Sequence, residues 1–289
     1  LWPPDSGRPG TPLSPAAWRR ALPPVEAAPE PGLVGRWRFD EGVGLLARDC
    51  SGRGHDAIVS SEWRKDESGA CVVADGVPRA AVIPDAPHLH FGNDDFALAF
   101  WVKVDGDDAR LLGKEAFPEN WWVINLLNNG RAELVLGEGR GPGKSVRAQT
   151  TAPLATGAWT HLVAVVDRQA REVCWYLNGV LDSRHPIPET MTGGLHAAGR
   201  DITVPSSHKP FSGLIGDLRI YRQAITAERV RALYKEEAPH RVRRETVSHG
   251  ALGACLPPRL MRRLILIEGG GTIPWMGLAN QGLTGPERL

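Results

Sequence analysis

Two adjacent indoles, Trp121 and Trp122, stand in NWWVINLLNNG (Asn120 to Gly130), a run of strand formers that closes on asparagines and a glycine. Successive side chains of a strand point to opposite faces, so one indole is expected to leave the core. An outward indole offers a flat apolar face on which a sugar ring stacks, and the amides of Asn125 and Asn128 supply donors and acceptors for hydroxyl groups. Trp63 and Lys114 are secondary candidates for the same surface. The alternative, that both indoles pack beneath loops, stays open at the level of the sequence.

Other chemistries find weaker footing. Cys50, Cys71, Cys174 and Cys255 form no C-x-x-C pair and have no histidine at metal-finger spacing, so a zinc site is not expected. A Cys50–Cys71 bridge is open in an oxidising compartment, whereas Cys174, inside an apolar run, reads as a free core thiol. His88 and His90 share a face without a third ligand, His161 reads as a core or hairpin histidine, and no G-x-S-x-G elbow is present. With 34 Lys and Arg against 33 Asp and Glu, the chain has no field to draw nucleic acid or an anionic membrane. No apolar run approaches the roughly 18 residues of a membrane span. The chain starts at Leu1 with no leader pattern, so a signal peptide is expected either removed or upstream.

The elements that must carry these residues are short and extended. The 33 Gly and 24 Pro supply turns at all-β density, and ten Trp among a 42% hydrophobic composition are enough for a core that uses most of them. LVGRWRF (Leu33 to Phe39) alternates, placing Leu33, Trp37 and Phe39 on one face. FALAFWVKV (Phe96 to Val104) reads as a half-buried strand, and WTHLVAVVD (Trp159 to Asp167) as a central one. VCWYLNGVLD (Val173 to Asp182) holds the Asn178-Gly179 hairpin signal. In LIGDLRIY (Leu214 to Tyr221), Asp217, Arg219 and Tyr221 are not expected all to be buried. Glu133 and Glu138 are separated by a turn at Gly137. In ITAERVRALYKEE, Thr226 caps one short helix, with Ile225 and Val230 at the staple positions. Residues 1–31 form a Pro-rich linker, 32–237 a single domain, and 238–289 a tail, either disordered or the start of another segment.

RWRFDEGVGLLARDCSGRGHDA (Arg36 to Ala57) resembles the opening of laminin G-like jelly rolls of the concanavalin A-like lectin and glucanase superfamily. The later pieces FALAFWVKV, GAWTHLVAVVD, WYLNGVLD and FSGLIGDLRIYRQAITAERVRALY are similar to that family's strands, in the same order. The resemblance implies a two-sheet antiparallel jelly-roll sandwich with one short C-terminal helix. It also implies a calcium site joining the first strand to the last, with Asp40, Glu41, Asp49 and Asp217 at the family's positions and carbonyls of the Ser51 to Gly54 turn completing the shell. The family's turn usually carries Asn where Arg53 and His55 stand, and its last strand another acidic residue near Gly216, so oxygen ligands are fewer here. The bland reading is that Asp40 and Asp49 cap turns and Asp217 faces water or Arg219.

Relatives of this fold include glucanases, which deliver two carboxylates on a strand of Glu-x-Asp-x-Glu type; no such strand occurs. The expected function is thus a non-catalytic carbohydrate-binding module of a larger exported protein, whose partner is a polysaccharide or glycoconjugate. The resemblance implies a secreted, periplasmic or cell-surface setting, with further domains on the same polypeptide. The alternatives are a protein-interaction or adhesion domain without a sugar site, and a fragment of an enzyme whose active site lies outside this chain.

Overall fold

Apolar runs broken by Gly, Asn and Pro fold into short strands and tight turns. The computed structural model describes residues 30–238 and 241, apart from 67–68, 74–78, 107, 206–208 and 210. Its strands in chain order are β1 (Leu33–Trp37), β2 (Leu46–Ala47), β3 (Ala57–Val59), β4 (Trp63–Asp66), β5 (Gly69–Val73), β6 (Ala81–Ile83), β7 (Phe96–Val104) and β8 (Ala109–Ala116). They continue as β9 (Asn120–Leu126), β10 (Ala132–Gly137), β11 (Ser145–Gln149), β12 (Trp159–Asp167), β13 (Glu172–Leu177), β14 (Val180–Pro186), β15 (Ile202–Val204) and β16 (Gly213–Tyr221). A helix, α1, runs over 227–238. The linker expected over 1–31 lies outside the described residues except for 30 and 31, as does the tail over 238–289 except for 238 and 241.

The strands form two antiparallel sheets. One has the order β14-β13-β12-β7-β16-β5-β4, with β1 also paired to β16; the other runs β11-β10-β9-β8-β15-β6-β3-β2. Neighbours distant in sequence, such as β7 with β16 and β8 with β15, give the jelly-roll crossovers. The sheets face each other across a core that contains Trp37, Phe39, Phe96, Phe100, Trp122 and Trp175. Each fully buried large side chain there contributes about 1.5–3 kcal/mol by leaving water. The Asn178-Gly179 pair makes the β13–β14 hairpin with positive φ at both residues, as that turn demands.

The outer face of the first sheet is covered as well. Thr226 caps α1, its Oγ1 accepting the Arg229 N–H at 3.3 Å, and Ile225, Val230 and Leu233 pack against Ala97, Ala99, Val163 and Tyr221. The small Ala97 and Ala99 side chains let the helix lie close to β7. This lid explains two departures from the sequence reading. β7 is buried on both faces except at Lys103, and Asp217, Arg219 and Tyr221 are all buried. The three polar groups are satisfied beneath the lid: Asp217 bonds Arg36 and Arg219, Arg219 reaches Glu236 and Glu237 on α1, and the Tyr221 hydroxyl donates to Glu30 at 2.6 Å. A third departure is local. A register shift between Leu33 and Gly35 turns Leu33 toward α1, while Trp37 and Phe39 enter the inter-sheet core.

Candidate functional site

Among the described residues no helix covers the outer face of the second sheet, and four of its strands form a concavity there of about 520 Å³. Antiparallel register lays its surface out in three rows. Glu115, Trp121, Gly137 and Ser145 form the first, Gly113, Val123, Val135 and Arg147 the second, and Arg110, Asn125, Glu133 and Gln149 the third. Two of these twelve positions are glycine. A Cβ on Gly137 would sit 2.2 Å from Cζ2 of Trp121, so the indole lies over the sheet in the space a side chain would fill. Gly113 lies beside Val123 in the middle row, where a Cβ would meet the Val123 side chain at 3.1 Å, and Val123 and Val135 give the concavity an apolar floor.

The indole is held at its edge by Phe117, whose ring meets it T-shaped at 4.9 Å between centroids and is 62% exposed. The guanidinium of Arg140 in turn sits 5.5 Å from the Phe117 centroid. In the third row Glu133 is buried and fully engaged, accepting from Arg147 at 2.8 Å, Asn125 at 3.2 Å and Gln149 at 3.1 Å. Glu115 pairs with Arg110. Arg200, just before β15, completes the wall; its carbonyl accepts from Lys114 at 2.6 Å. The result is a half-buried aromatic plane beside amides, a hydroxyl and guanidinium groups, which is the chemistry of equilibrium recognition of a polar ring.

The residues singled out from the sequence are distributed unevenly. Trp121 and Asn125 are brought together in this groove, and Trp122, 1% exposed, points into the core. Asn128 is exposed in the β9–β10 turn and does not line the groove. Trp63 packs against the core and donates its Nε1–H to the Gly44 carbonyl at 2.8 Å. Lys114 is fully buried, bonded to Asp85 and the Arg200 carbonyl; burial lowers its pKa, and Asp85 opposes that shift. A bulge between Arg110 and Leu112 is the reason, because the extra residue turns Lys114 inward and puts Glu115 on the outer face with Arg110. Arg110, Glu115, Phe117, Arg147 and Arg200 were not anticipated; the only local signal was the glycine pairing of Trp121, and that needs the register to be seen.

The four carboxylates at the family's calcium positions are engaged otherwise. Asp40 pairs with Arg38 at 2.8 Å. Glu41 accepts the Arg48 N–H at 2.7 Å, and burial raises its pKa. Asp49 caps the following turn, accepting N–H groups of Arg36, Ser51 and His55, and Asp217 faces two guanidinium groups. Among the described residues no group of three or more His, Cys, Asp or Glu is placed to hold a metal ion, so these residues do not fit a calcium shell. A chelator is therefore expected to leave the thermal midpoint unchanged, and a fall on its addition would restore the ion to this end of the sandwich. Cys50 and Cys174 are free thiols, and the side chain of Cys71 lies outside the described residues. Burial pushes both free thiols up to about 11, and Cys50 lies 3.7 Å from the Arg48 carbonyl.

The family profile of the concanavalin A-like lectin/glucanases superfamily matches residues 76–231. None of the curated proteins matches the sequence. Among solved structures, the binding domain of Paraclostridial Mosquitocidal Protein 1 is similar at TM-score 0.57 and 16% identity, over 70% of this chain and 52% of that one. This chain thus spans about half the length of that binding domain. Domain 4 of AbnA, an extracellular arabinanase of Geobacillus stearothermophilus solved with arabinotriose, is similar at TM-score 0.57 and 23% identity, over 71% of this chain and 99% of that one. The ligand binding domain of botulinum neurotoxin serotype D, solved with N-acetylneuraminic acid, has TM-score 0.54 and 13% identity over 71% and 51%. At these identities the likeness is one of fold.

Proposed function

Because this chain belongs to the concanavalin A-like lectin/glucanases superfamily, we propose that it is a carbohydrate-binding module that holds a saccharide, without cleaving it, in the groove over β8 to β11. One observation carries the reading: Trp121 lies along the sheet over Gly137, inside a concavity edged by amide and guanidinium groups. A ring so placed needs no reorganisation to stack on a pyranose or furanose face, and the neighbouring polar groups select among hydroxyl patterns. The neighbours solved with arabinotriose and with N-acetylneuraminic acid support a glycan as ligand. Absence of catalysis is supported by Glu133, which three donors hold buried in the third row of the sheet.

Among the described residues no helix is long and apolar enough to cross a membrane. We read the module as part of an exported protein, whose affinity for a polysaccharide rises when several copies engage it.

Trp121→Ala is expected to weaken glycan binding about tenfold, which corresponds to about 1–1.5 kcal/mol for one aromatic contact. Gly137→Val should do the same from the opposite strand, since its side chain takes the space of the indole. The measurement is titration calorimetry on glycans identified by an array, with circular dichroism to show that both variants keep the sandwich. Full binding retained by both would end this reading.

A further inference from the structure

The groove carries more positive charge than its own carboxylates neutralise. Glu115 and Glu133 are already paired with Arg110 and Arg147. Two guanidinium groups remain: Arg140 over the Phe117 ring, and Arg200 on the wall beside β8. Neither has an ion pair with a described residue. A neutral sugar would leave both charges to water. An acidic one would meet them with charge-assisted hydrogen bonds, the planar guanidinium fork matching a carboxylate or a sulfate ester.

We propose that the groove selects an acidic oligosaccharide, with the ring of one unit on Trp121 and an anionic substituent bound by Arg200. This rests on the glycan reading above and names its ligand class. Arg200 is well suited to the role because it sits on a fixed support: its backbone carbonyl is tied to the buried Lys114, which is itself bonded to Asp85, and Asp85 takes the Gly199 N–H at 2.7 Å. Hydrogen bonds from Lys114, Gly199 and His90, set against partial burial that acts the other way, hold the Asp85 carboxyl down at about 2, so this support stays charged at neutral pH. The guanidinium itself projects from that anchored backbone and can be replaced without touching it.

The test uses the full 289-residue chain and titration calorimetry at low and high salt, with two matched pairs of probes. One pair is tetragalacturonate and its carboxyl-reduced neutral counterpart; the other is a sulfated galactan tetrasaccharide and its desulfated parent. At least one acidic member is expected to bind about tenfold tighter than its neutral partner, and which pair shows it separates carboxylate from sulfate. Salt should shrink the difference. Arg200→Gln should remove most of the preference by weakening the acidic member far more than its neutral partner, whereas Trp121→Ala should weaken acidic and neutral members alike. Equal affinities within both pairs, a preference untouched by Arg200→Gln, or failure of both acidic probes to bind would each overturn the proposal. The glycan reading survives those results wherever a neutral sugar still binds in a Trp121-dependent way, and falls with it if no sugar binds.

Discussion

Asp217→Asn is expected to destabilise the fold by about 3–5 kcal/mol, seen as a lower urea midpoint with an unchanged slope. Asp217 is 5% exposed and accepts from Arg36 Nε at 2.9 Å and from Arg219 Nε and a terminal nitrogen at 2.9 and 2.8 Å. The Arg219 side chain is 3% exposed, so its charge cannot turn to water when the carboxylate goes. Glu236 and Glu237 are still within 3.1 and 3.4 Å, but both lie on α1 and approach from one side. Asparagine is the informative replacement because Asp217 has φ near +43, a conformation asparagine tolerates, so the change removes charge with little added backbone strain. A loss below about 1 kcal/mol would show that the ion pairs on α1 suffice by themselves. The two guanidinium charges also hold the Asp217 carboxyl below its ordinary range against the opposing effect of burial. A carboxyl depressed in the folded state contributes stability above its unfolded pKa, and that contribution is lost as pH falls toward the folded value.

The same cluster marks where sequence reasoning reached and where it stopped. Strands were legible because alternation and turn residues are local: Asn178-Gly179 fixed one hairpin and Thr226 one helix start. What covers a strand is not local. Asp217, Arg219 and Tyr221 looked too polar to bury because α1 and Glu30, which satisfy them, approach from both ends of the domain. The groove shows the same division. The opposite facing of Trp121 and Trp122 followed from strand geometry alone, while Arg110, Arg147 and Arg200 come from three separate strand regions that only the register and β15 bring together. Gly137, read as a turn, is a strand residue whose missing side chain makes room for the indole. Lys114 went the other way because one bulge reversed the parity of half a strand, and no residue type in ARLLGKEA announces it.

Acid should begin to destabilise this sandwich below about pH 6.5, above the range where carboxylates titrate, and His161 is the main cause. Its ring is buried in the first sheet beside Trp101, 5.1 Å between centroids, with Tyr234 of α1 at 6.2 Å; Nδ1 finds no partner among the described residues. Burial first, then the charge of Arg219, push its pKa down to about 3. Between pH 6.5 and about 3 the unfolded chain therefore binds a proton at this site that the folded chain refuses. Stability rises with pH wherever the unfolded state holds more protons, so it falls on acidification by about 1.4 kcal/mol per pH unit through that window, and by several kcal/mol across it. His88 acts in the same direction over a narrower range, since burial and its neighbour His55 hold it at about 4, whereas Asp85, depressed to about 2, adds its loss only below the ordinary carboxyl pKa. His161→Phe keeps a ring against Trp101 and removes the titration. Urea midpoints measured from pH 7 to 4 should then fall with a distinctly shallower slope in the variant, leaving the residue of His88. Equal slopes in the two proteins would mean that the imidazole is reached by water and charges in place, and the helix lid over β12 would have to open far more readily than its buried contacts imply.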